Sequence, residues 1–259
     1  MTRALRPPRV ARRWWLAVGL GAVLLCALNA PATTRQGINF NVSTAHIPLY
    51  VKTLDFLHRH EHYRLLARQI TAGFTGDEAR AIAVFRWTRE HIVLTPKGWP
   101  IVDDHVLNII IRGYGLDDQM ADVFTTLCMY AGVPAFWRNL TPFDEGPILP
   151  LSFAKIGGAW RVFDVAHNVV FADTQGRLVP VDVLEKDPAI VETIAGDIRP
   201  GGLSYVRYLG LLQPFTVPDV LRAQQQMPVS RVFFEVRRAW HAVIGLMGPA
   251  TRARSNQGA

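Results

Sequence analysis

Two acidic residues stand at positions where side chains do chemistry. Asp117 opens a helix-like apolar run that reaches about Ala131 and leads into Gly132-Val-Pro-Ala135, while Asp164 ends a strand-like run that begins at Trp160. A carboxylate at a helix N-terminus can accept free backbone N–H groups of the first turn, worth about 1 kcal/mol over alanine. Two carboxylates sharing a semi-buried pocket would instead raise one pKa and form an acid/base dyad. The first reading of Asp117 is the simpler one, and the second would join it to Asp164. His167 follows Asp164 by three residues, and strand parity turns it to the opposite face unless a bulge intervenes. Cys128 lies eleven residues beyond Asp117. That spacing is a helical rise of roughly 16 Å, which makes Cys128 a core residue. His58 and His62 would share a helix face and could hold a metal with Glu61, but a solvated helix face is the simpler reading. No phosphate-cradling glycine loop, dinucleotide fingerprint or metal-ligand cysteine set occurs, so neither cofactor nor metal is expected.

These side chains need elements to position them. Tyr50, Leu54, Leu57, Tyr63, Leu66 and Ile70 recur at helical spacing and predict one or two helices from Ile47 to about Ile70. Thr75-Gly-Asp-Glu78 reads as a capping box that opens a helix through about His91. Pro96 and Pro100 bound a loop, Asp104 can cap a short helix through Ile111, and Gly113 and Gly115 separate it from the helix at Asp117. Beyond Pro134 the pattern alternates, with Leu149, Leu151 and Phe153 on one face and a turn at Gly157-Gly158. A hairpin turning there pairs positions that sum to 315, so that Leu151 opposes Asp164 and Leu149 is its diagonal neighbour. Residues 168–172 and 178–183 are further strand candidates, and from about Asp182 the chain turns helical again. Pro218 can start one helix, and Ser230 can cap a basic amphipathic one that reaches about Met247. Helices followed by strands mark an α+β domain.

Arg3, Arg6, Arg9, Arg12 and Arg13 supply five of the formal +7 charges, leaving only +2 for residues 14–259. The high pI therefore belongs mainly to the tail and gives no support to nucleic-acid binding. The tail precedes an uncharged, largely apolar run, residues 14–30, whose helical length of roughly 25 Å is at the short end for spanning a bilayer. The arginine asymmetry would keep residues 1–13 cytoplasmic and place everything after Ala30 on the extracytoplasmic, periplasmic side of a single-pass cell-membrane protein. Cleavage after the small residues Ala27, Ala30 or Ala32 is the alternative, and it would release a secreted domain. The expected organisation is a basic tail (1–13), a membrane anchor or signal peptide (14–30), a polar linker (31–45), an α+β domain (46–181) and a helical C-terminal extension (182–259). The chain's two cysteines, Cys26 in the apolar run and Cys128 in the helix, exclude a disulfide within the domain.

Gly115-Leu-Asp-Asp-Gln-Met-Ala121, Gly132-Val-Pro-Ala135 and the pair Trp160 and Asp164 together resemble the transglutaminase-like family of papain-like cysteine enzymes over roughly residues 75–172. The family pattern is Gly-x-Cys-x-x-x-Ala, about one helix, Gly-Ile/Val-Pro-Ala, then a Trp-x-x-x-Asp motif with a His about fifteen residues before that Asp. The resemblance implies a helix packed on a small antiparallel sheet and a Cys/His/Asp triad. It places Asp117 at the Cys position, Leu149 at the His position and Asp164 at the Asp position. A carboxylate is a far weaker nucleophile than a thiolate and leucine transfers no proton, so the resemblance implies a degenerate triad. The expected protein is a catalytically inactive, membrane-associated domain that keeps a cleft for a peptide or envelope glycopeptide. The enzyme alternative is a residual hydrolase that uses Asp117, Asp164 and His167. A further alternative is a structural protein whose cleft is filled by side chains.

Overall fold

A computed structural model describes residues 9–103, 105–142 and 146–247, with side chains described from Trp14 to His241. The expected cap Asp104, the first eight residues and residues 248–259 lie outside the described residues. The chain is a mixed α+β protein whose elements run α1 (Arg9–Leu28), β1 (Pro31–Ile38), β2 (Asn41–Pro48), α2 (Leu49–Ile70), α3 (Asp77–His91), β3 (Val93–Leu94), β4 (Val102–Asp103), α4 (Val106–Arg112), β5 (Tyr114–Gly115) and α5 (Asp117–Tyr130). They continue through β6 (Ala135–Leu140), β7 (Leu149–Ile156), β8 (Ala159–Asp164), β9 (Val169–Val170), α6 (Val181–Leu184), α7 (Pro188–Ala195), α8 (Tyr205–Leu209) and α9 (Pro228–Met247).

The expected linker is an antiparallel hairpin. β1 pairs with β2 in register from Pro31↔Pro48 to Ile38↔Asn41. Asn39 and Phe40 turn it in the left-handed region, at φ 48° and 65°. The Asn39 side chain accepts the Ile101 N–H at 2.9 Å, and β1 also pairs with β4, which fastens the hairpin to the domain. Gly37 eases that approach, because a Cβ would lie 3.1 Å from the Asp103 Cβ. α3 starts as expected but without the capping box: its N-cap is Gly76, in an extended backbone state at φ 82° that glycine permits, and no side-chain cap bond forms. Among the described residues no helix is long and apolar enough to cross a membrane.

The main sheet has the order β6-β7-β8-β9, antiparallel throughout. Ser152↔Phe163 and Ile156↔Ala159 fulfil the register set by the glycine turn. Gly157 and Gly158 stand at φ 58° and 83°, as a two-residue hairpin turn demands. The sheet buries both faces. On one, Ala135, Ala154, Ile156 and Phe163 pack with Val123, Phe124 and Leu127 of α5, with α3 behind. On the other, Phe136, Leu149, Leu151, Phe153 and Val162 pack with α7 and α8. Residues expected to form an appended extension thus complete the second core. The strand candidate at 178–183 instead holds isolated bridges, Ala172↔Leu178 and Arg161↔Pro180, and then the short helix α6. α7 is capped by Asp187, whose side chain accepts the N–H groups of Ala189 and Ile190.

Candidate functional site

The start of α5 is held from several sides. α4 stops at Gly113 in the left-handed conformation, and β5 then pairs parallel with β3, Val93↔Tyr114 and Leu94↔Gly115. Gln119 reaches back to accept the Leu116 N–H at 3.1 Å, and its own amide donates to the Val102 carbonyl at 2.6 Å. Gly115 makes room for this, since a Cβ there would fall 2.9 Å from Gln119 Oε1. Asp117 is therefore the first helical residue, not the N-cap, which is Leu116. Among the described residues its carboxylate accepts only the Asp118 N–H, at 2.9 Å, so the expected cap role reduces to a favourable charge on the first turn.

Asp164 is fully buried and accepts three hydrogen bonds: from the His167 backbone N–H at 3.0 Å, from the His167 ring through Nδ1 at 2.9 Å and from the Tyr205 hydroxyl at 2.8 Å. The parity expectation for His167 fails because β8 ends at Asp164. The next residues form a turn in which Asn168 N–H meets the Val165 carbonyl and Asn168 takes φ 59°, and this brings the ring back to the carboxylate. The bond to Asp164 raises the His167 pKa from its usual value. Burial opposes that shift, the Asp164 and Asp117 charges add to it, and Arg89 works against it. Arg89 also donates to the Ala166 carbonyl at 3.0 Å, which pins the turn. Burial first, and then the Asp164 charge, push the Tyr205 hydroxyl far up, so it stays a proton donor to Asp164. When the ring is neutral, a proton held on Nδ1 by the buried carboxylate leaves Nε2 as the proton-accepting nitrogen.

Leu149, the expected His position, packs among apolar side chains. It is 1% exposed and belongs to the second core, on the face turned away from α5. The imidazole near Asp164 comes instead from position 167. Cys128 is wholly buried, and burial alone pushes its thiol well up, consistent with a core residue. His58 and His62 are exposed with ring centroids 4.3 Å apart, and no metal-holding group occurs among the described residues.

Beside the N-terminus of α5 lies a cleft of about 400 Å³, walled by Phe40, Leu116, Asp118, Asp122, Trp137 and Arg222. Asp122 accepts from Trp137 Nε1 at 3.2 Å and pairs with Arg222 at 3.0 Å, whose guanidinium also sits over the Trp137 ring. Burial raises the Asp118 pKa, and the Asp117 charge adds to this. The i, i+4 spacing of Asp118 and Asp122 was the available signal for this wall. Tyr205 and Arg222 carried none, because their partners lie far away along the chain.

No protein-family model matches the chain, and no curated protein matches it. Among solved structures it is similar to a "Putative Cysteine Protease" from Cytophaga hutchinsonii, at 17% identity over 50% of this chain and 45% of that one, with a TM-score of 0.37. It is also similar to a "putative protease" from Parabacteroides distasonis, at 10% identity over 52% of this chain and 35% of that one, with a TM-score of 0.35. The chain thus matches less than half the length of either structure.

Proposed function

We propose that the chain is a transglutaminase-like, papain-like domain at the cell envelope that binds a peptide or glycopeptide and performs no thiol-based acyl transfer. One observation carries this reading: the side chain at the start of α5 is the Asp117 carboxylate. Both cysteines lie elsewhere, Cys26 in α1 and Cys128 wholly buried. A scaffold of helix, then glycine-turned hairpin, in the family's order supports the class. The cleft beside α5, with Trp137 and Arg222 in its wall, offers apolar, cationic and carboxylate surface to a polar chain. Association with the membrane through residues 14–30 is supported by the exposed Trp14, Trp15, Leu20 and Val23 of α1 and by the basic tail before it, while no described helix is long and apolar enough to cross the bilayer. Release by cleavage of that segment is the alternative. A peptide array probed with the full chain tests the reading: binding without turnover supports it, and amide cleavage by the native chain defeats it.

A second reading is favoured by His167. A buried carboxylate orients its ring and leaves Nε2 to activate water, so a hydrolase using Asp117, Asp164 and His167 needs no thiol. Its rate would rise with pH through a His167 pKa above the usual 6.5 and collapse in Asp164→Asn. Silence across ester and amide panels would remove this reading.

A further inference from the structure

We infer that α9 lies in the headgroup region of an anionic lipid bilayer, as a membrane contact separate from residues 14–30. Val229, Val232, Phe233, Val236 and Trp240 recur at separations of three and four, so they form one stripe along the helix. The stripe faces away from the protein. Each of the five is between 61% and 71% exposed, whereas Ser230, Arg231, Phe234 and Glu235 on the other side are half-buried. Nothing in the fold calls for apolar side chains on that outer side, and a contiguous apolar patch of several side chains marks a contact surface.

Charge says what covers it. Arg231, Arg237 and Arg238 against Glu235 leave α9 at +2, three positive charges less one negative. Arg231 and Arg238 both bridge to Glu235, at 2.6 and 3.1 Å, on the polar side. Arg237 is exposed and forms no ion pair among the described residues. Three residues before Trp240, it stands about 60° from that side chain around the helix, at the border of the stripe. Two copies of this face would bring like charges together. One ridge of five side chains also presents only roughly 600 Å², short of the roughly 800 Å² per partner that a standard protein interface buries. A bilayer needs no fitted groove and accepts a convex apolar ridge: acyl chains cover the valines and Phe233, the indole sits at headgroup level, and a guanidinium at the border pairs with lipid phosphate. The occupant is therefore an anionic lipid surface and not a second copy of the chain.

The test uses the full chain on vesicles of equal parts phosphatidylglycerol and phosphatidylcholine and on vesicles of phosphatidylcholine alone, with peptide-resolved hydrogen exchange over residues 228–241 as the readout. Exchange there should be at least tenfold slower on the anionic vesicles, and added salt should shrink that margin. Phe233→Ser combined with Trp240→Ser should remove the slowing, and Arg237→Glu should cut it by more than half, with the exchange of α5 unchanged as the check on folding. Where a variant loses α5 protection, the comparison of the two lipids on the native chain still decides. If the chain leaves phosphatidylcholine vesicles altogether, association through residues 14–30 fails, while slow α9 exchange on anionic vesicles still supports the inference. Equal exchange on the two lipids, slowing that survives in the folded double variant, or slowing that grows with protein concentration at fixed lipid, as a second copy would give, would each overturn it.

Discussion

Replacing Asp164 with asparagine is a severe perturbation of nearly unchanged volume. The carboxylate accepts from three donors in a fully buried setting, and asparagine offers one acceptor oxygen in place of two while turning an NH2 group toward the remaining donors. Hydrogen bonds to a buried charge contribute about 1.5–3 kcal/mol each, and an orphaned buried donor costs about 1–3 kcal/mol. With the amide oxygen kept toward the His167 ring and Tyr205, two weakened bonds remain and the His167 backbone N–H faces the NH2, which gives a destabilisation of about 3–5 kcal/mol for Asp164→Asn. Tyr205→Phe removes a single donor and should cost only about 1–2 kcal/mol. Urea unfolding of both variants, followed by tryptophan emission, reads the two values. The His167 pKa, read from ring proton shifts, should fall in Asp164→Asn, because the bond to Asp164 is the largest cause of its elevation. A loss below about 1 kcal/mol with an unmoved His167 titration would refute the account of Asp164 as the buried anchor of this ring.

Other outcomes follow from the same geometry. Leu149→His should destabilise by about 2–4 kcal/mol in the same urea assay, because it buries an imidazole in an aliphatic core; it should restore no activity even when combined with Asp117→Cys. Since folding raises the His167 pKa, its stabilising contribution is complete below the unfolded value near 6.5 and fades as pH rises through the folded value. Melting temperatures from pH 5.5 to 8.5 should therefore show a loss in the native chain that is smaller in His167→Gln.

The hairpin register was legible because one glycine pair sets it and period-two alternation continues it on both sides. α5 was legible from its apolar run and from the Gly132-Val-Pro that ends it. What covers Leu149 was not, because alternation makes Leu149 and Asp164 neighbours without saying that α7 and α8 close over their face. The position of His167 depended on where β8 stops, and nothing in Val165-Ala-His-Asn168 marks the stop strongly. Tyr205 joins Asp164 across 41 residues of sequence, a separation that local periodicity does not reach. The hairpin at 31–48 was missed because its polar strands expose both faces and so lack apolar alternation.

The most direct measurement is thiol labelling by iodoacetamide, read by mass spectrometry on the folded native chain and on Asp117→Cys. The account predicts no adduct at Cys128 in the native chain and fast alkylation of the new thiol, with a pKa below the usual 8.5 because it stands in the first turn of a helix. Alkylation of Cys128 without unfolding, or a new thiol at position 117 that titrates as an ordinary surface cysteine, would contradict the account.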